Sequence, residues 1–190
     1  SLVGHLVGAI NGASIARKTS FLKDRMGEQL FAKNIRIIDD PLRVRGLRSQ
    51  TFDAEGVRVK KTALIDEGVL TTWLLDCATA RELGLVTTGH AHRGVSSSPS
   101  PGSYNLHLEP GELTPKELIS DIKQGFYVTD LIGSGVNGVT GDYSRGASGF
   151  WIENGSTNRQ AVYLAGQVVL APEVALPILP GLNLFGYPYS

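Results

Sequence analysis

The chain has 190 residues, 42% of them hydrophobic, which is enough for one domain with a buried core. Lys plus Arg and Asp plus Glu both total 18, and this balance argues against a nucleic-acid partner, which needs a basic face. One cysteine cannot form an internal disulfide, and no run approaches 18 apolar residues, so we expect a cytoplasmic protein with no membrane partner.

Apolar residues with helical spacing begin the chain and predict a helix from Ser1 to Ala16. Glycines recur in it every four residues, a pattern that lets another backbone pack closely: Gly4, Gly8 and Gly12. His5 lies among these residues. Its side chain could be a metal ligand, a catalytic base or a packed side chain. A second short helix is predicted from Phe21 to Phe31.

The middle of the chain is predicted to form strands and one short helix. "NIRIIDDP" is typical of a strand that ends at its proline. Alternating apolar residues on both sides of Glu67-Gly68 predict a hairpin. Asp76 is expected to cap a helix from Cys77 to Leu83, and the cysteine is expected to be a small buried hydrophobe.

The next segment contains the strongest helix signal. His92 to Ser103 is rich in Gly, Ser and Pro and is predicted to be a mobile loop, followed by a short strand in "YNLHLEPG". Thr114 and Glu117 form a capping box with Pro115 in the first turn, which predicts a helix that ends at Gly125.

The remaining elements decide the predicted fold class. "FYVTDLI" predicts a strand, "GSGVNGVTGDYSRG" a long glycine-rich loop, and Asn154-Gly155 the turn of a last hairpin. Because helices and strands are mixed without regular alternation, we predict an α+β fold with a mostly antiparallel or barrel-like sheet and a few short helices. Residues 1–190 are expected to form a single domain.

Two patterns could bind a cofactor or metal, and each has a structural alternative. "GSGVNG" carries the G-x-G-x-x-G spacing of dinucleotide sites, but no helix follows it, which favours a crossover loop. His90 and His92 would point the same way on a strand and could share a metal ion, with His107 or an acid as a third ligand. We favour the alternative of a solvated loop.

A third pattern, "GDYSRGASG", contains a candidate nucleophile, Ser144. It is not in a G-x-S-x-G elbow, and Asp142, Tyr143 and Arg145 could equally hold this loop by hydrogen bonds. We favour the structural role and assign no catalytic residue. These four residues and His90 are kept as candidate loop or peptide-binding residues.

Several stretches together resemble the C-terminal region of the TldD/PmbA family, also called the modulator of DNA gyrase family. They are "ARKTSFLKDRMGEQLF", "FDAEGVRVKKTALIDEGVLTTWLLDCATARELGLVTTGHA" and "GELTPKELISDIKQGFYVTDLIGSGVNGVTGDYSRGASGFWIENG". The resemblance runs in consistent order from Ser1 to about Gly155. "GDYSRGASGFWIENG" is especially similar to the PmbA (TldE) branch.

The resemblance implies a role in proteolysis. In that family, TldD and TldE subunits form a heterodimer that degrades or trims unfolded peptides. TldD carries zinc on a helix with the pattern His-Glu-x-x-x-His, together with a cysteine near its C-terminus. Zinc lowers the pKa of its bound water and polarises the amide carbonyl, while the glutamate acts as base.

The first helix of this chain corresponds to that zinc helix. Aligned on Gly12, it has Val3 and Gly8 at the two histidine positions and Gly4 at the glutamate, and His5 falls on none of them. The resemblance therefore implies a non-catalytic PmbA/TldE-type subunit with no cofactor of its own. Zinc is expected only in a TldD-type protease partner, and unfolded peptides are the expected substrates.

Two alternative functions remain open. One is a peptidase in its own right, with a site built from His90, His92 and an acid or from Ser144, and the other is a regulator that binds DNA gyrase or DNA. The sequence begins without Met and without the family's N-terminal domain, which predicts a fragment. From about Ala161 its tail departs from the family pattern, and prolines there favour irregular backbone.

Overall fold

The structure, a computed structural model, describes residues 2–168, 178–179 and 182–185, with side chains up to residue 157 except residue 134. The chain divides into two compact units, Ser1–Glu109 with Gly138–Gly141, and Pro110–Asn137 with Asp142–Ser190. The expectation of a single domain stays a prediction. Within the described residues, the helices are too short or too polar to cross a membrane.

The first unit combines short helices with antiparallel strands. Its helices are α1 (Leu2–Ala9), α2 (Gly12–Ala16) and α3 (Cys77–Glu82). Its strands are β1 (Ile37–Asp39), β2 (Thr62–Asp66), β3 (Val69–Leu70), β4 (Ala91–His92), β5 (Ser100–Pro101) and β6 (Leu106–Leu108). One sheet has the order β3-β2-β1-β6, and β4 pairs with β5 in a separate ribbon.

Aliphatic side chains from α1, β2, β3 and the segments that follow α1 and β3 form the core of this unit. None of the main members is more than 8% exposed: Leu6, Ile10, Leu64, Ile65, Leu70 and Leu74. Full burial of one such side chain contributes about 1.5–3 kcal/mol to stability. This core fixes α1 against the sheet.

The single helix predicted over the first sixteen residues is in fact two helices, interrupted at Asn11. The Asn11 backbone is extended, and its Oδ1 accepts a hydrogen bond from the Ala13 N–H at 3.0 Å. Its Nδ2 donates to the Pro101 carbonyl oxygen at 2.8 Å. The side chain therefore caps α2 and ends the continuous helix, because it offers the backbone a competing partner.

The predicted close packing of the glycine stripe holds only at Gly12. A Cβ there would lie 2.7 Å from the Leu74 carbonyl oxygen and 2.7 Å from Thr79 Oγ1. At Gly4 and Gly8 a Cβ would meet no atom within 4 Å, and both positions are exposed. The stripe prediction is therefore wrong for these two glycines among the described residues.

Residues 21–31 form a series of turns and not the predicted helix. Arg25 N–H donates to the Leu22 carbonyl at 3.0 Å, three residues back. Gly27 has a φ of 81°, and its N–H donates to the Leu70 carbonyl of β3 at 2.8 Å. Backbone donors that a helix would use internally are thus bonded to a strand, because the segment packs beside β3.

Several local predictions in this unit are confirmed. The Glu67-Gly68 turn joins β2 to β3, and Asp76 caps α3 with a complete capping box.

Two other predictions in this unit differ from the structure. The segment from His92 to Ser103, predicted to be a mobile loop, takes part in the pairing of β4 with β5. Cys77 is half-buried and not a core residue, because it lies in the first turn of α3.

The second unit is one helix and one antiparallel sheet. The helix is α4 (Pro115–Ser120), and the strands are β7 (Gln124–Val136), β8 (Tyr143–Glu153), β9 (Ser156–Val168), β10 (Ile178–Leu179) and β11 (Leu182–Phe185). The strand order is linear, β10-β11-β7-β8-β9. The predicted α+β class is confirmed, with all strand pairs antiparallel in the described residues.

Element boundaries in this unit differ from the predicted ones. The capping box at Thr114 begins α4 as predicted, but the helix ends at Ser120, because Gln124 already pairs with Glu153 in the sheet. The predicted glycine-rich loop is shortened to residues 137–142. In the tail, the four prolines lie outside the described residues, whereas β10 and β11 form a described hairpin.

Candidate functional site

A cleft of about 290 Å³ opens beside the β4–β5 hairpin of the first unit. Polar side chains line much of it: Gln50, Asp53, His92, Arg93 and Ser100. A cleft on which polar groups converge is the first place to look for ligand binding. It is therefore the candidate functional site in this unit.

Asp53 lines the cleft and is held by its own loop. Its side-chain Oδ1 accepts hydrogen bonds from the N–H groups of Glu55 at 2.9 Å and Val57 at 2.8 Å. Its Oδ2 accepts one from the Ala91 N–H at 3.3 Å, where β4 begins. The carboxylate therefore shapes one wall of the cleft and has little capacity left for a ligand.

A buried acid–base pair, Asp39 and His90, lies next to β4. The two side chains are 0% and 1% exposed, and His90 Nε2 lies 3.5 Å from Asp39 Oδ2. At this distance the two groups are in electrostatic contact, but they do not form a hydrogen bond. The Tyr104 N–H donates to both Asp39 oxygens, at 3.0 and 2.8 Å, so β1 and the chain after β5 are joined through this carboxylate.

Thr88 holds the other side of the His90 ring. Its Oγ1 lies 2.8 Å from His90 Nδ1 and accepts a hydrogen bond from the Leu75 N–H at 2.8 Å. If the Thr88 hydroxyl donates to Nδ1, the ring proton sits on Nε2 and faces the Asp39 carboxylate. This tautomer makes both contacts attractive, so His90 is best described as a structural residue.

The His92 imidazole is one of the side chains that line the cleft. Its ring packs on Tyr104 with centroids 4.5 Å apart. Burial lowers the pKa of His92, and the neighbouring His90 and Arg48 lower this pKa further, against the opposing charge of Asp39. Its Nε2 is shielded and has no hydrogen-bond partner among the described residues. This nitrogen is therefore buried beside the cleft and not open to it.

The histidines do not form a metal site in the described part of the chain. There, no three side chains of His, Cys, Asp or Glu come together in an arrangement that could hold a metal ion. His107, the suggested third ligand, has its Nδ1 3.2 Å from the Asn105 carbonyl oxygen. The favoured solvated loop is also wrong for His90, because its side chain is fully buried against Asp39.

The other predicted loop or peptide-binding residues lie in the second unit, where β8 begins. Tyr143 is buried, Asp142 and Ser144 are exposed, and Arg145 is half-buried. Burial raises the pKa of Tyr143, and the Arg145 charge opposes this rise. Ser144 lies within an antiparallel strand and not on the strand-to-helix turn of a nucleophile elbow. Their role in peptide binding stays a prediction.

The positions compared above with a zinc motif lie on α1. Val3 is half-buried, and Gly4 and Gly8 are exposed, as is His5 between them. Zinc binds through lone pairs on nitrogen, sulfur or oxygen, and the side chains of valine and glycine have none. These residues do not fit zinc, and no zinc-dependent step is assigned to this chain.

Sequence reasoning missed the buried polar residues Asp39, Asp53 and Tyr104. A signal for Asp53 exists in "FDAEG", where an aspartate three residues before a glycine is typical of a turn closed by the side chain. The local sequence gives no such signal for Asp39. Its burial follows from Tyr104, which is 65 positions away in the chain.

The comparison with known protein families matches residues 1–171 to the PmbA/TldA metallopeptidase C-terminal domain. The chain belongs to the PmbA/TldD family. The match extends about ten residues beyond the point where the tail was predicted to depart from the family pattern. The family to which this chain belongs is thus one named for metallopeptidases.

Curated relatives agree with this assignment. Metalloprotease PmbA of Escherichia coli O157:H7 is 44% identical over 154 residues, which cover 81% of this chain and 32% of the relative. The Metalloprotease PmbA homolog of Haemophilus influenzae is 40% identical over 172 residues, covering 88% of this chain and 36% of the relative. The chain spans about a third of the length of these relatives.

Solved structures of the PmbA/TldD family share the fold. A protein from Bacteroides thetaiotaomicron named a modulator of DNA gyrase superposes with a TM-score of 0.79 at 30% identity, covering 96% of this chain and 40% of that one. TldE from Thermococcus kodakarensis superposes with a TM-score of 0.71 at 24% identity, covering 87% and 39%. The second likeness supports the fold alone.

Proposed function

We propose that this chain belongs to a non-catalytic subunit of a TldD/TldE-type metalloprotease complex, in which a TldD-type subunit supplies the zinc. The observation that carries the proposal is membership of the PmbA/TldD family, taken with the resemblance, which implies that Val3, Gly4 and Gly8 stand where the zinc helix has its histidines and glutamate. Side chains without lone pairs cannot replace imidazole or carboxylate. The single cysteine fits a reducing compartment, so the proposed location is the cytoplasm.

The proposed substrates are unfolded peptides, and the sheet of the second unit supports this. Strand β9 has 13 residues and ends the strand order β10-β11-β7-β8-β9, so its outer backbone edge has no described neighbour. An extended peptide can add to such an edge through main-chain hydrogen bonds, which tolerate many sequences. This mode of binding suits a complex that handles unfolded chains.

The test measures zinc content and peptidase activity of the purified chain, alone and with a TldD-type subunit. We expect substoichiometric zinc and no cleavage by the chain alone, and cleavage of an unfolded peptide when the TldD-type subunit is added. A TldD-type subunit stripped of zinc is the matched control and should leave the mixture inactive. Stoichiometric zinc together with cleavage by the chain alone would overturn the proposal.

A second candidate is a peptidase in its own right, which is favoured by the fact that the E. coli relative is named a metalloprotease. In that case the exposed Ser144 or the cleft residue His92 would carry the reaction. Replacing them singly, as Ser144→Ala and His92→Gln, should then abolish cleavage by the chain without a partner. Unchanged cleavage in both variants would remove these residues from consideration.

A further inference from the structure

A loop of residues 41–50, called the arginine loop below, displays apolar side chains directly to solvent. Leu47 is fully exposed, and Val44 is 87% exposed. Arginines alternate with them in "LRVRGLR". Single exposed aliphatic residues are ordinary on a protein surface, but several on one short loop mark an interaction site.

The arginine loop is held by specific hydrogen bonds. The Gln50 N–H donates to the Pro41 carbonyl oxygen at 2.9 Å and closes the loop. Asn105, which lies outside it, donates from Nδ2 to the Asp40 carbonyl at 2.8 Å, and its Oδ1 accepts from the Arg48 N–H at 3.1 Å. The exposed side chains are therefore presented from a fixed backbone, which lowers the entropy lost on binding.

Part of this backbone is also strained. Arg45 has a φ of 58°, a left-handed conformation that costs a residue other than glycine about 1–2 kcal/mol. At Gly46 a Cβ would lie 2.5 Å from Ser49 Oγ and 2.6 Å from Asn105 Nδ2, so a larger residue there would displace these two side chains. A strained, braced and exposed loop is typical of functional surfaces, because folding alone does not reward its conformation.

The charges of the arginine loop lack partners within the described part of the chain. The ion pairs found there involve other cations, and no described carboxylate lies within 4 Å of a guanidinium nitrogen of Arg43 or Arg45. Unpaired surface arginines attract acidic molecules over a distance of about 10 Å and speed their encounter. This steering benefits a partner that arrives by diffusion, which favours a separate molecule.

We propose that the arginine loop is a docking surface for a separate acidic polypeptide. Carboxylates of the partner meet Arg43 and Arg45, and its apolar side chains cover Val44 and Leu47. Alternation of acidic and apolar residues in an extended partner segment would match the alternation in the loop. This inference does not rest on the protease assignment, since it uses only the exposure, bracing and charge of the loop.

The test uses two fluorescein-labelled peptides, one alternating Leu with Glu and one alternating Leu with Lys, titrated with the whole chain at low salt. We expect the acidic peptide to bind at least tenfold more tightly than the basic peptide. We also expect its association rate to fall steeply as the salt concentration rises to about 0.5 M. Equal binding of both peptides, or binding of neither, contradicts the proposal.

Variants of exposed residues test whether the peptide binds to the arginine loop, and they do not alter the core. Leu47→Ser should weaken binding of the acidic peptide about tenfold. Val86→Ser is the matched control, since Val86 is 83% exposed and lies outside the loop, and it should bind like the unmodified chain. The double variant R43E/R45E should reverse the preference toward the basic peptide. If Leu47→Ser and Val86→Ser bind alike, or if the charge reversal leaves the preference unchanged, the arginine loop is not the docking surface.

Discussion

At the scale of single residues, Gly12 is the most tightly enclosed glycine of the first helical segment. Its N–H donates to the Leu74 carbonyl at 2.8 Å, and a Cβ would fall 2.7 Å from that same oxygen. We expect Gly12→Ala to lower the free energy of unfolding by about 1–3 kcal/mol, because backbone must move to make room. Chemical denaturation measures the change.

Gly8→Ala is the matched control for this prediction. Gly8 lies in α1, is exposed and has open space at its Cβ position. Alanine there should raise the stability by about 0.5–1 kcal/mol through helix propensity alone. If both alanines shift stability in the same direction, close packing at Gly12 is not what selects glycine.

His92 makes the stability of the fold depend on pH. Burial, His90 and Arg48 lower its pKa in the folded chain below the value of about 6.5 expected when the chain is unfolded, although Asp39 opposes them. In the window between the two pKa values the unfolded chain binds more protons, so stability falls as the pH drops through it. Denaturation at a series of pH values from 7.5 downward should show this loss.

His92→Gln should remove the contribution of this residue to that slope. An NMR titration of the unmodified folded chain reports the pKa of His92 directly, and we expect the His92 imidazole to titrate below pH 6.5 there. Identical pH profiles for the variant and the unmodified chain would show that another group causes the loss.

The residue scale also shows why the site was only partly predictable. His90 and His92 stand out in the sequence because they are two positions apart, yet they have different surroundings. His90 lies against Asp39, which comes 51 positions earlier, and His92 packs on Tyr104. Spacing along the chain cannot reveal contacts that the fold creates between distant segments.

At the scale of elements, the two capped helices test how burial changes the value of a cap. Asp76 is 2% exposed, and its Oδ1 accepts hydrogen bonds from the Thr79 N–H at 2.8 Å and the Thr79 hydroxyl at 2.7 Å. Thr114 caps α4 from an exposed position. We expect Asp76→Ala to destabilise α3 by about 1–3 kcal/mol, because it leaves buried donors unpaired.

Thr114→Ala should destabilise α4 less, by about 0.5–1 kcal/mol, since water can replace the lost bond. Amide hydrogen exchange of each helix separately reports the two effects. Equal losses in α3 and α4 would mean that burial of the cap adds nothing.

Local chemistry made some elements predictable and others not. The Glu67-Gly68 and Asn154-Gly155 turns were predicted correctly, because both residues of each turn have positive φ and the sequence pattern is typical of such turns. The helix predicted over residues 21–31 is absent because its backbone donors reach β3. Strand β7 continues through "GSGV" with an irregularity after Ile132, where Gly133 has a φ of 88°, and its pairing with β8 resumes at Gly135.

At the scale of the whole molecule, the balanced charge allows a prediction about DNA binding. The question arises because one structural relative is named a modulator of DNA gyrase. The formal net charge is zero, and the unpaired arginines of the arginine loop are too few for strong binding to phosphates. We expect no retention of the chain on a labelled DNA duplex at about 0.15 M salt, measured by fluorescence anisotropy. Binding with a steep salt dependence would contradict this expectation.

The family resemblance predicted more about this chain than its composition or hydrophobic periodicity could. It correctly placed the chain in the PmbA/TldD family, on motifs that extend from Ser1 to about Gly155. It did not point to the arginine loop or to the cleft beside β4. Both depend on exposure and on contacts between segments, which one sequence does not display.

One junction joins the helical start of the chain to the cleft. The amide of Asn11 accepts from the Ala13 N–H at the beginning of α2 and donates to the Pro101 carbonyl of β5, the strand paired with the cleft strand β4. The Asn11 side chain therefore bonds to both elements, and we expect a ligand that restrains β5 to restrain the first turn of α2 as well. Binding of a ligand in the cleft should therefore slow amide hydrogen exchange at Ala13, although the ligand does not contact the helix.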